Sequence, residues 1–174
     1  NGDGLTEIGV MVQPPTISGL ISYYPFSGNA NDLGPRRDNN GTVIGATLST
    51  DCNATANSAY AFDGNDDRID ISHINFPMGN KARTIAGWIN LDASAAGDDT
   101  ILFYGQKIPG KGFVLRADGT GNLEANTYGD VAELDGNATV RDGAWHHVAF
   151  SFNAETRLFE HYFDGERVGC VEVE

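Results

Sequence analysis

Basic residues are scarce in this chain. Lys and Arg number 11 against 24 Asp and Glu over 174 residues, a formal charge of −13. Phosphate backbones are held by clustered cations, and no basic face is visible here, so nucleic acid is excluded as a partner on charge. Long apolar runs are missing as well. None approaches the roughly 20 residues that cross a bilayer as a helix, so no membrane span is expected. Cysteine is nearly absent, with only Cys52 and Cys170. Neither stands in a CxxC or His spacing for zinc. The pair is read as one long-range disulfide in an oxidising compartment, with two buried free thiols as the alternative. Amphipathic helices are the last absence, since no segment carries a sustained 3.6-residue period.

What the chain does have is glycine, 22 residues of it, with abundant Asn and Asp. That composition suits many short strands joined by tight turns. Ile85, Gly87, Ile89 and Leu91 fall on one face of a strand pattern, with Trp88 opposite. His146, Val148, Phe150 and Phe152 alternate with His147, Ala149 and Ser151, a period of two. Residues 158–163 and 167–173 flank Asp164-Gly165, the turn chemistry of a hairpin. Short strands at this spacing predict a two-sheet antiparallel sandwich. Residues 1–17, with Pro14-Pro15, read as a leader or linker, and residues 18–174 as one domain. Within the leader, residues 5–12 place Ile8, Val10 and Val12 on one face and predict an edge strand.

Three segments then stand out. Gly19-Leu20-Ile21-Ser22-Tyr23-Tyr24-Pro25-Phe26 reads as an apolar-aromatic strand running into the polar loop Ser27 to Asp32. Downstream come Ala59-Tyr60-Ala61-Phe62-Asp63-Gly64-Asn65-Asp66-Asp67-Arg68-Ile69 and Asp142-Gly143-Ala144-Trp145-His146-His147-Val148-Ala149. In this order and spacing they resemble the laminin-G-like family of concanavalin A-like lectin domains, over residues 18–174. The resemblance implies an all-β, two-sheet antiparallel jelly roll. It also implies a protein that binds, tethers or adheres rather than catalyses. The strand that normally closes such domains, with its Gly-x-Ile-Asp-Asp-Val-Arg-type motif, has no counterpart before Glu174. Either the sequence stops short of that strand, or the leader strand or another chain fills its place, which leaves self-assembly open.

Calcium takes six to eight oxygens at flexible geometry. Asn29, Asn31, Asp32, Asp38, Asn39 and Asn40 form one oxygen-rich loop, and Asp63, Asp66 and Asp67 another. In the resembled family two such loops share a structural calcium. Asp32 and Asp63 match that pattern best, followed by Asn40, and Asp66 completes the expected set. The bland reading is that Asn, Asp and Gly are turn formers.

Other constellations carry less chemistry. His146 and His147 point to opposite faces of a strand, so they cannot share one metal. His146 is expected to be a satisfied inward residue. Glu133-Leu134-Asp135 is half of the Glu-x-Asp-x-x-Glu motif of jelly-roll glycosidases, set in a turn-like context without the second glutamate, so no catalytic residue is assigned. Tyr104, Tyr128 and Trp88 are the candidate aromatic platforms for a sugar. The sequence therefore predicts a non-catalytic, calcium-stabilised, secreted or cell-surface binding module. Its partner is a carbohydrate or, second, a protein surface. A structural or assembly domain of an adhesin or filament is the alternative, and a polysaccharide-active enzyme the third reading.

Overall fold

The computed structural model of the protein describes residues 17–109, 111–127 and 133–173. The expected strand at 5–12, the rest of the leader up to residue 16, and Tyr128 lie outside the described residues. Among the described residues there are strands, turns and no helix. The chain forms two compact units, Asn1–Phe76 and Pro77–Glu174.

The first unit holds four short strands, β1 (Gly41–Ile44), β2 (Thr47–Ser49), β3 (Ala59–Ala61) and β4 (Arg68–Ile71). β1 pairs antiparallel with β4, and β2 with β3. The aromatic segment before them differs from expectation. Residues 20–26 join no sheet. Their backbone is bonded to the following loop instead: Leu33 N donates to Tyr23 O at 2.8 Å, and Tyr23 N donates to the Asp32 carboxylate at 3.0 Å. An apolar run reads as a strand only if a neighbouring strand takes its N–H and C=O groups, and here a carboxylate and a loop carbonyl take them.

The second unit contains β5 (Arg83–Asn90), β6 (Asp99–Gly105), β7 (Gly112–Ala117), β8 (Asn122–Thr127), β9 (Glu133–Thr139), β10 (Trp145–Phe152), β11 (Leu158–Phe163) and β12 (Glu166–Glu172). They make two four-stranded antiparallel sheets, in the orders β12-β11-β10-β5 and β6-β7-β8-β9. The core lies between them. Phe113, Leu115, Ala117, Leu123 and Ala125 come from one sheet, and Val148, Phe150, Phe152 and Phe159 from the other. Phe150 sits at the centre, with ring centroids 3.6 Å from Phe113 and 4.0 Å from Phe159. Burying each such side chain contributes roughly 1.5–3 kcal/mol. This is the two-sheet antiparallel sandwich that the strand pattern predicts and the jelly roll that the resemblance implies.

The hairpin between β11 and β12 turns at Asp164 and Gly165, whose φ angles are 47° and 87°. Positive φ at both central residues matches the right-handed twist of the strands, the reason Asp-Gly signals a hairpin. Glu133, Leu134 and Asp135 open β9 rather than a turn. Their backbones pair with β8, Glu133 opposite Asn126 and Asp135 opposite Glu124.

Candidate functional site

The two acidic loops of the first unit differ in where their carboxylates point. Asp32 is 1% exposed. Its Oδ1 accepts from Tyr23 N at 3.0 Å and Gly34 N at 2.7 Å, and its Oδ2 from Asn39 N at 3.3 Å. A Cβ at position 34 would come within 2.8 Å of that same Oδ1, so glycine is what lets the backbone reach the carboxylate. Asn40 turns its side-chain oxygen onto Asp32 N at 2.9 Å. Asn39, fully buried, donates its amide to Ser22 Oγ and Ile74 O and accepts from Ile74 N. Asp32 and Asn40 are thus bonded within their own loop.

The second loop is open. Asp63, Asp66 and Asp67 bring carboxylate oxygens within 4.8 Å of one another, with Asp63 and Asp66 exposed and Asp67 half-buried. Asp67 Oδ2 accepts from Asp63 N at 3.0 Å, and Asp63 Oδ1 from Asn65 N at 2.9 Å. The Asn65 backbone N–H, then its side-chain amide, hold the Asp63 carboxyl below the usual carboxylate range. Gly45, at φ 76°, lies so close that any side chain there would overlap the Asp67 carboxylate. A depression of about 410 Å³ is lined by Gly45, Thr47, Ala61, Phe62, Asp63 and Asp67. Phe62 is 53% exposed beside it. Of the four expected metal ligands, the structure brings Asp63 and Asp66 together and adds Asp67. Asp32 and Asn40 are not members of that cluster.

A second constellation lies in the sandwich unit. Trp88 is 54% exposed on β5. Strand register sets it directly opposite His147, and their rings meet edge-on at 5.4 Å. Asn90 and Trp145 are the next opposed pair on the same face. The β11–β12 turn adds Asp164, whose N donates to His147 O and whose Oδ1 accepts from His147 N, both at 2.8 Å. Trp88, Trp145, His147, Asp164 and Gly165 line a depression of about 530 Å³. Sequence reasoning named Trp88, and Trp145 and His147 within a separate motif, but did not join them, because cross-strand register is what assembles them.

His146, on the other face, is satisfied as expected. Its Nδ1 lies 2.8 Å from Asp164 Oδ2 and its Nε2 3.1 Å from Asp142 Oδ1. Burial alone would lower its pKa, but the hydrogen bonds to Asp164 and Asp142 together raise it. In return the imidazole holds the Asp164 carboxyl below its usual range. Tyr104 is a packing residue: its hydroxyl donates to Pro77 O, and Arg83 sits 5.7 Å from its ring centroid.

The expected Cys52–Cys170 disulfide is not present in this structure. Cys52 and Cys170 are both free thiols. Cys52 sits half-buried in the turn between β2 and β3 in one unit, and Cys170 is exposed on β12, opposite Glu160, in the other. Nor are they the two buried thiols of the alternative.

Comparison with known proteins places this architecture. The sequence profile of the concanavalin A-like lectin/glucanases superfamily matches residues 63–173, more than half of the chain. No curated protein matches it. Among solved structures, domains LG4-5 of the mouse laminin alpha1 chain match with 14% identity and a TM-score of 0.45, over 100% of this chain and 35% of that one. The chain therefore spans about a third of the length of that structure.

Proposed function

We propose, for a chain that belongs to the concanavalin A-like lectin/glucanases superfamily, a non-catalytic binding function directed at carbohydrate, outside the cell, with calcium as a stabilising ion. The observation that carries this reading is the open acidic loop. Three carboxylates converge within 4.8 Å at the surface beside an exposed phenylalanine. Sugars are held by aromatic faces and polar groups acting together.

The donor set fits calcium. All three groups are hard oxygen donors, and oxygens sharing one ion at about 2.3–2.6 Å lie within such a spread. Asp63, Asp66 and Asp67 would hold the ion. Calcium would offset the mutual repulsion of the three carboxylates and fix the loop. Asp32 has its oxygens engaged by three backbone N–H groups and acts as a structural residue.

A glycan array probed with and without a calcium chelator tests the function. Binding to a set of glycans is expected, weakened by chelation. Silence across the array in both arms would overturn the reading. An assembly function is the second reading, favoured by β5. It is an edge strand of eight residues among the described residues, and an open edge accepts a further strand. Sedimentation showing a stable oligomer together with a silent array would favour it.

A further inference from the structure

We propose that the depression lined by Trp88, Trp145, His147 and Asp164 seats one pyranose ring of a neutral glycan. This rests on the reading of the chain as a carbohydrate-binding module, and it assigns the sugar to residues of the sandwich unit and leaves the ion to the acidic loop.

Four features of the site argue for it. The first is an exposed indole in an otherwise well-sorted unit. Trp88 is 54% exposed while the opposite face of β5 packs Ile89 against the core. The second is clearance. The same-face neighbours of Trp88 along β5 are Ala86 and Asn90, and across from Ala86 stands Ala149. These side chains are shorter than an indole, so the ring stands above its floor and offers a plane to the apolar C–H face of a sugar. The third is a directional acceptor. Asp164 lies on the rim, and its carboxylate, half-exposed, is fixed by His146 Nδ1 at 2.8 Å and His147 N at 2.8 Å. Each carboxylate oxygen has a second lone pair, so two vicinal hydroxyls of a sugar fit it side by side. The ring nitrogens of His147 add a further polar partner on the same wall.

The fourth feature is charge. Asp142 and Asp164 lie at this end of the sheet and the whole chain carries −13, which repels sulfated or sialylated glycans. Neutral hexopyranoses are the class left. The volume of about 530 Å³ suits one or two rings rather than a buried chain.

The test uses the full chain, with titrations by tryptophan emission and calorimetry against cellobiose, lactose, chitobiose and mannobiose. Heparin and a proline decamer serve as competing classes. At least one neutral disaccharide is expected to saturate the signal while heparin does not. Trp88→Ala is expected to weaken that binding by at least about tenfold, about 1.4 kcal/mol. Trp88→Phe, which keeps an aromatic plane, should recover part of it. Both variants should melt as the parent does, since Trp88 is outside the core. Unchanged affinity in Trp88→Ala overturns the location. If Asp66→Asn abolishes binding while Trp88→Ala does not, the ligand belongs to the acidic loop, and the proposed function stands without this site. Saturation by the proline decamer alone overturns the sugar class. No saturation by any neutral glycan overturns the proposal together with the carbohydrate reading.

Discussion

The loops around Asp32 and Asp63 are built from the same residue types and do opposite things. Around Asp32 the backbone N–H groups of Tyr23, Gly34 and Asn39 turn inward and surround a carboxylate that solvent barely reaches. An ionised group leaves water only where such donors replace its hydration. This loop makes its own cradle for a negative charge and leaves little for a cation. Around Asp63 the turn bonds use part of the Asp63 and Asp67 carboxylates, Asp63 and Asp66 are exposed to water, and the three groups lie close to one another. Like charges so arranged are tolerated because solvent screens them, and a divalent ion would relieve them. Acidic residues in a loop signal a cation site only when the backbone has not already taken their oxygens.

The largest expected effect breaks or upholds that contrast directly. Asp32→Ala strands three buried N–H groups, each worth roughly 1–3 kcal/mol when left unpaired. We expect a loss of about 3 kcal/mol or more in denaturant unfolding, the same with calcium as with chelator. If Asp32→Ala unfolds like the parent in chelator and only the calcium response is lost, Asp32 is a ligand and the contrast fails.

The next effect belongs to the open loop. Calcium that binds only the folded chain stabilises it by ~2.7 kcal/mol when free calcium is a hundred times its dissociation constant. Adding calcium to chelated protein should raise its melting temperature, and Asp66→Asn should remove most of that rise. In chelator the same variant should lie within about 0.5 kcal/mol of the parent, because Asp66 is exposed. A melting temperature that ignores calcium in the parent would leave the loop a set of turn formers.

These two cases also mark what a sequence discloses. The sandwich was legible because β10 buries every second residue, Val148, Phe150 and Phe152, and because Asp164-Gly165 supplies the turn its hairpin needs. The face of β5 that carries Trp88 was legible for the same reason. Burial of Asp32 was not, since it depends on Gly34 and Asn39 presenting N–H groups from seven residues away or fewer, which composition does not encode. The extended segment at 20–26 was misread because its backbone partners are a carboxylate and a loop carbonyl rather than a strand. The Trp88–His147–Asp164 row was hidden because register between β5, β10 and the β11–β12 turn is a tertiary property. For the cysteines the sequence offers only parity and count, which do not report distance.

A third group of carboxylates sharpens the comparison because it adds a titrating partner to its backbone bonds. Asp142 and Asp164 are held by His146, which reaches both through its two ring nitrogens. Only the imidazolium donates both bonds; neutral imidazole donates one and faces the other carboxylate with a lone pair. The folded state therefore prefers the protonated ring, and its pKa is raised above the ordinary histidine value. A group raised on folding adds stability that is fully present below its unfolded pKa, about 6.5, and fades as pH climbs through the higher folded value. Between about pH 6 and pH 9 the parent should lose on the order of 1 kcal/mol, the scale of one such hydrogen bond. His146→Gln, which keeps polarity without a titrating charge, should flatten that part of the profile, as thermal melts over the range would read. Because Asp164 also rims the Trp88 depression, its loosening at high pH should appear as weaker glycan binding in the parent and not in His146→Gln. A parent whose stability is flat from pH 6 to pH 9 would mean that His146 packs against Phe163 without its charge mattering. Asp142 and Asp164 would then join the open loop as carboxylates that the fold merely tolerates.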